Sequence, residues 1–245
     1  SEKIDIPHVQ LINDLEANAW GISEMKEDDL LLLTPGRSAD PAANRCLISA
    51  GTGLGEATLY KSKEGYIPLA SEGGHADFAP RTPDEIALLV HLQKHFSHIS
   101  YERVLSGQGI HNIYNFYLEI AESQPPFIEE AMKTKDPAAV ITENALQETD
   151  PCCVKTLDTF VSLYGAEAGN LALRTLAKGG VYIGGGIAPR ILHKLKAPLF
   201  LEAFTQKGRF SNLLETIPIY VILNDKAALL GAGRCAHNSL INKTF

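Results

Sequence analysis

Apolar positions in the first third of the chain fall in short runs set off by Gly and Pro: residues 9–13 (VQLIN), 44–50 (NRCLISA), 56–61 and 66–69. Runs of this length bounded by turn residues predict strands. The pattern changes at Thr82-Pro83-Asp84-Glu85, which reads as a capping box with proline at the first helical position. Leu88, Leu89, Leu92 and Phe96 follow it at helical spacing. Further helices are predicted over residues 110–122, 137–149 and 151–177, with a turn at Pro125-Pro126. A strand at 180–183, short helices at 189–196 and 198–206, a buried strand at 217–223 and a closing helix at 226–240 complete the chain. Strands, then helices, then strand–helix units predict α/β layers rather than a bundle or a sandwich.

With 245 residues, 45% of them hydrophobic and 21% charged, the chain can bury a substantial core as one large domain or parts of two. A net charge of -7 argues against a nucleic-acid partner, because phosphate backbones are bound by clustered cations. Anionic ligands must therefore be held locally, by backbone amides or a few placed cations. Cys46, Cys152, Cys153 and Cys235 form no CxxC pair and lack the His spacing of a zinc site, so they read as free, reduced thiols. No apolar run approaches the roughly 18 residues of a membrane helix, and the opening residues lack a basic-then-apolar leader pattern. No membrane partner is expected, and the cytoplasm is the expected compartment.

Candidate chemistry concentrates in four places. In Ser71-Glu72-Gly73-Gly74-His75-Ala76-Asp77-Phe78, a carboxylate and an imidazole flank two glycines. Glu72 can accept two hydroxyl hydrogen bonds and His75 can donate and accept, which suits a polyol; a plain loop turn and a metal site are the rival readings, the latter without a third ligand nearby. Asp14, after the first apolar run, could accept a proton from a substrate hydroxyl, although Asn13-Asp14 at such a place is usually a turn or helix cap. In Gly51-Thr52-Gly53-Leu54-Gly55 the backbone amides at Thr52 to Gly55 could point at phosphate oxygens. It lacks the Lys-Ser or Lys-Thr of a P-loop, and a glycine-rich hairpin is the alternative. Gly184, Gly185 and Gly186 put unhindered backbone at a strand's end before a helix, a place for an adenosine moiety or a phosphate tail. Glu102, taken alone, reads as a surface charge.

The order IND, GTGLG, SEGGHADFAPR, ERVLSGQG, NIY, GGVYIGGGIAPR, KGRF, IPIYVIL and AALLGAG resembles the bacterial glucokinase family along nearly the whole chain. That resemblance implies the sugar-kinase branch of the actin-like, ribonuclease H-like α/β fold, and transfer of the γ-phosphate of ATP, with Mg2+ held mainly through the nucleotide phosphates, to the 6-hydroxyl of glucose. It implies Asp14 as catalytic base and Asn13, Glu72, His75 and Glu102 as partners of the glucose hydroxyls. It further implies that Gly51, Thr52, Gly53 and Gly55 meet nucleotide phosphates, that Gly184, Gly185 and Gly186 line the adenosine side with Gly107 nearby, that the protein binds no metal of its own, and that it forms a homodimer. A related group of sugar kinases and repressors carries a Cys-rich zinc motif where Ala76-Asp77-Phe78-Ala79-Pro80 stands here.

Members of that family open with a strand and an Asp-x-Gly-Gly-Thr phosphate loop, and this chain enters the pattern shortly before Asn13. The resemblance thus sets the expectation of a large lobe at residues 23–224, a small-lobe remnant and hinge at 1–22, and a helix at 225–245 returning to the small lobe. Little turnover is expected without the upstream segment, along with exposed apolar faces on the first strand and the closing helix. A non-catalytic sugar sensor and a kinase for another hexose are the alternatives; a DNA-binding regulator would need a helix-turn-helix and a basic patch.

Overall fold

A computed structural model describes residues 9–35, 37–121 and 124–241. Its elements run α1 (Asp14–Gly21), β1 (Leu30–Leu32), β2 (Arg45–Ala50), β3 (Leu54–Ser62), β4 (Gly65–Ser71), α2 (Pro83–Gln93), α3 (Gly107–Ala121), α4 (Pro126–Met132), α5 (Pro137–Leu146), α6 (Pro151–Thr175), β5 (Val181–Gly184), α7 (Leu192–Lys196), α8 (Pro198–Thr205), α9 (Ser211–Glu215), β6 (Ile219–Ile222) and α10 (Ala227–Ile241). The strands form one mixed sheet in the order β1-β6-β5-β2-β3-β4. β2, β5 and β6 are parallel, and the β2–β3–β4 meander and the edge strand β1 are antiparallel to their neighbours.

Period-two alternation assigns each strand residue to one of two cores. Cys46, Ile48 and Ala50 of β2, Val181 and Ile183 of β5, and Ile219 and Val221 of β6 face a large core filled by α3, α5, α6 and α8, with Tyr114, Phe160, Tyr164, Phe200 and Phe204 fully buried. The intervening Leu47, Tyr182 and Ile222 face a smaller core closed by Ala19 and Ile22 from the α1 region and Ala227 of α10. Helix starts follow their caps: Asp136 accepts from the Ala139 amide at 3.0 Å and Asp150 from the Cys153 amide at 2.7 Å. Thr82 caps α2 as expected, but Glu85 reaches the Arg81 amide at 2.6 Å and the Arg81 guanidinium instead of closing the box on Thr82.

Several expectations need correction. Residues 9–13 are not a strand: the segment is irregular, with Leu11 96% exposed, and Asp14 begins a helix rather than ending a strand. β1, α1, α4 and α9 were not anticipated. The helix expected over 110–122 starts earlier, at Gly107, and Glu122 lies outside the described residues. Closing helix α10 does carry exposed apolar side chains, among them Leu229 at 73%. All four cysteines are free, and burial pushes the Cys46 thiol up to about 12.

Candidate active site

The parallel strands β2 and β5 end side by side at Ala50 and Gly184, and the crevice beyond such ends is where ligands bind in open α/β sheets. Tyr164 of α6 supports that edge from below. Its hydroxyl lies 3.3 Å from the Ala50 amide, from which it accepts, and 3.4 and 3.2 Å from the Ile48 and Gly184 carbonyls. Burial raises the phenol's pKa, so it remains a neutral donor. Gly185 turns the chain away with φ +85, and a Cβ there would collide with the Ala50 carbonyl oxygen.

Three segments bring polar side chains to the crevice. Helix α1 starts with Asn13 as its cap, and the Oδ1 atoms of Asn13 and Asp14 each accept from the Leu15 amide at 2.8 Å. The helix-cap reading of Asn13 is therefore correct, and it coexists with an exposed Asp14 carboxylate at the helix's positive end. After β4 the chain makes a tight turn at Gly73–His75, with the His75 amide donating to the Glu72 carbonyl at 3.0 Å and the Ala76 amide to Gly73 at 2.9 Å. Both Glu72 and His75 are exposed. Half-buried Glu102 is held from both ends. Its Oε2 accepts from the Leu54 amide at 3.0 Å, and its backbone carbonyl accepts from buried Ser106 at 2.8 Å.

These five residues, Asn13, Asp14, Glu72, His75 and Glu102, line one cavity of about 400 Å³ together with Gly51, Thr52, Gly53 and Gly55. Sequence reasoning missed Asn18, Ser49 and Ser71, which add polar groups to the same wall. Asn18 was recoverable: it stands one helical turn after Asp14, whose carbonyl accepts from its Nδ2 at 3.0 Å. A second cavity of about 680 Å³ is lined by Gly51, Thr52, Gly107 and Gly186 with Gln108 and Ile187. A third, of about 330 Å³, lies along Gly184, Gly185 and Gly186 against Asn224 and Asp225. Gly185 is thus shared by the first and third cavities and Gly186 by the second and third, and open space surrounds the position a Cβ would take at Gly186. Among the described residues no cluster of three or more His, Cys, Asp or Glu is arranged to hold a metal ion.

The mixed sheet with its crevice beyond β2 and β5 is that of the actin-like ATPase fold of sugar kinases, as comparison with solved structures shows. The sequence profile of the glucokinase family matches residues 1–239, and the chain belongs to that family. The glucokinase of Nostoc punctiforme is 46% identical over 249 residues, spanning 96% of this chain and 73% of that protein. The crystal structure of glucokinase from an Antarctic psychrotroph superposes with a TM-score of 0.82 at 34% identity, over 93% of this chain and 68% of that one. A glucokinase from Balamuthia mandrillaris in complex with glucose shares the fold, with a TM-score of 0.74 at 24% identity, over 90% of this chain and 63% of that one.

Proposed function

We propose that this protein phosphorylates glucose at the 6-hydroxyl with ATP, binding the sugar in the 400 Å³ cavity and the nucleotide along the glycine-walled crevice beside it. The observation that carries this reading is the convergence of Asn13, Asp14, Glu72, His75 and Glu102, from three segments far apart in sequence, on one cavity that opens onto Gly51 and Thr52. Glucose is a ring of hydroxyls; carboxylates accept from such a ring, and an amide and an imidazole can both donate and accept. In this reading the Asp14 carboxylate takes the proton of the 6-hydroxyl as its oxygen bonds to the γ-phosphorus and the bond to the β-phosphate oxygen breaks, releasing ADP. Such a transfer depends on positioning and charge stabilisation more than on a strong base. The turn of Gly51, Thr52, Gly53 and Gly55 would meet the phosphates, led by the Thr52 and Gly53 amides because the Gly51 amide is taken up by the Gly53 carbonyl at 2.9 Å, and Gly184, Gly185 and Gly186, with Gly107 opposite, would line the adenosine side. Mg2+ would travel with the nucleotide phosphates and neutralise their charge.

Calorimetric titration with glucose, galactose as comparison and Glu72→Ala as control tests the sugar assignment. Glucose-selective heat that disappears in the variant is expected; equal heats for both sugars would overturn it. Glu102→Ala is expected to raise the glucose KM about 10- to 100-fold, the effect of removing a charged hydrogen-bond partner, with a smaller change in kcat. An unchanged KM would remove Glu102 from the sugar site. On family membership alone we extend the proposal to a cytoplasmic homodimer, in which α1 and α10 belong to the hinge side and residues 23–224 to the large lobe. Sedimentation equilibrium tests the dimer.

A further inference from the structure

Behind the sugar-holding turn lies a buried charge cluster that the reaction above does not use. Glu56 of β3 pairs with Ile48 in the sheet register, so its side chain enters the large core under α6, where it is 1% exposed. There its Oε2 accepts from Arg174 Nη2 at 3.1 Å, and the same Nη2 also bonds Glu167, which is fully buried. Two buried carboxylates thus share one guanidinium, and Glu56 Oε1 has no hydrogen-bond partner. The cluster touches both sugar-facing segments. A Cβ on Gly73 would collide with Glu56 Oε2, while the Ser71 hydroxyl donates to the Glu56 carbonyl at 2.9 Å and accepts from the Gly73 amide at 3.2 Å. On the other side Asn170 Nδ2 bridges Glu167 at 2.8 Å and the hydroxyl of Tyr101, the neighbour of Glu102, at 3.1 Å.

We propose that Glu56 is a positioning residue for glucose binding: protonated, it shares Arg174 with Glu167 and holds Gly73 so that Glu72 and His75 line the cavity, and its ionisation frees that turn. This deepens the glucokinase reading and rests on it. Among the described residues the cation bonded to both carboxylates is Arg174 alone, and a buried charge without a partner of its own is costly enough that the group neutralises instead. Burial and the facing Glu167 accordingly push Glu56 up to about 8, against the opposing pull of Arg174. The other ionisable groups around it are the Cys46 thiol of β2, the Tyr164 phenol of α6 and Tyr101, all raised by burial, and Lys207, which faces Glu167 and Arg174 and is lowered by burial to about 8.

The test measures glucose KM and kcat from pH 7 to 9 for the wild type, Glu56→Gln and Glu56→Ala. If only the protonated form binds sugar, about one molecule in ten is competent one pH unit above the transition, so the wild-type KM should rise about tenfold by pH 9 with a smaller change in kcat. Glu56→Gln keeps the shape and cannot ionise; its KM should match the wild type at pH 7 and stay flat to pH 9. Glu56→Ala leaves Gly73 unsupported and should show a raised KM at every pH. Lys207→Met should keep the alkaline rise, which separates the two groups that titrate near pH 8. A Glu56→Gln enzyme that retains the alkaline rise, or is as impaired as Glu56→Ala at pH 7, overturns the proposal. Hydrogen exchange at the His75 and Ala76 amides, corrected for the intrinsic pH dependence, gives a readout without sugar. Protection should fall through pH 8 in the wild type and persist in Glu56→Gln. Absence of calorimetric glucose binding at any pH would overturn the glucokinase reading, while the exchange comparison still decides the role of Glu56.

Discussion

Replacing Asp14 by asparagine (Asp14→Asn) is expected to lower kcat about 10²- to 10⁴-fold, the range that positioned general bases contribute, while changing glucose affinity by no more than about threefold. The substitution keeps the shape and one acceptor oxygen, so the Leu15 amide retains its 2.8 Å bond and the start of α1 should hold. What disappears is the carboxylate proposed to receive the hydroxyl proton. Calorimetry with glucose and a coupled assay on the same preparation read the two quantities separately. Parallel loss of affinity and turnover would reduce Asp14 to a sugar ligand, and unchanged turnover would place the base elsewhere in the cavity.

The other large effect is structural. Gly185→Ala is expected to destabilise the protein by about 3 kcal/mol or more, combining left-handed backbone strain of about 1–2 kcal/mol with an overpacking clash of similar size. The residue sits at φ +85, and the added methyl would run into the Ala50 carbonyl at the end of β2, a backbone atom that cannot swing away. For a chain of this length that corresponds to a Tm roughly 6–12 °C lower. Ala50 leads directly into Gly51 and Thr52, so nucleotide binding should weaken as well. Gly186→Ala is the matched control: its Cβ position is open, and its Tm should move by no more than about 2 °C. Equal losses from the two substitutions would refute the steric account of Gly185.

The sequence was most legible where a local pattern determines local structure. Buried runs such as 217–223 and the capped helix after Thr82 carry their own signals: β6 lies within two residues of the expected bounds, and α2 starts at Pro83 as expected although it ends at Gln93, short of Phe96. Residues 9–13 misled because an apolar run without a partner strand is only a run; Val9 and Leu11 stay in solvent. β1 was hidden for the opposite reason, since the leucines behind an acidic stretch become a strand only by pairing with β6, some 190 residues later. Glycines and sugar-type side chains were readable as residue types, and the family's motif order tied them together. Glu56 was not readable at all. It stands in a strand run where a charged residue would usually face water, and its partner Arg174 is 118 positions away.

Gly51 and Thr52 are wall to both larger cavities, with Gly185 and Gly186 closing the corner between them and the third. A molecule seated in one cavity therefore fixes part of the surface that its neighbour must fit. The two equilibria share a single free energy of interaction, and thermodynamics makes that quantity symmetric. Whatever factor an unreactive nucleotide analogue applies to the dissociation constant for glucose, glucose must apply to the analogue.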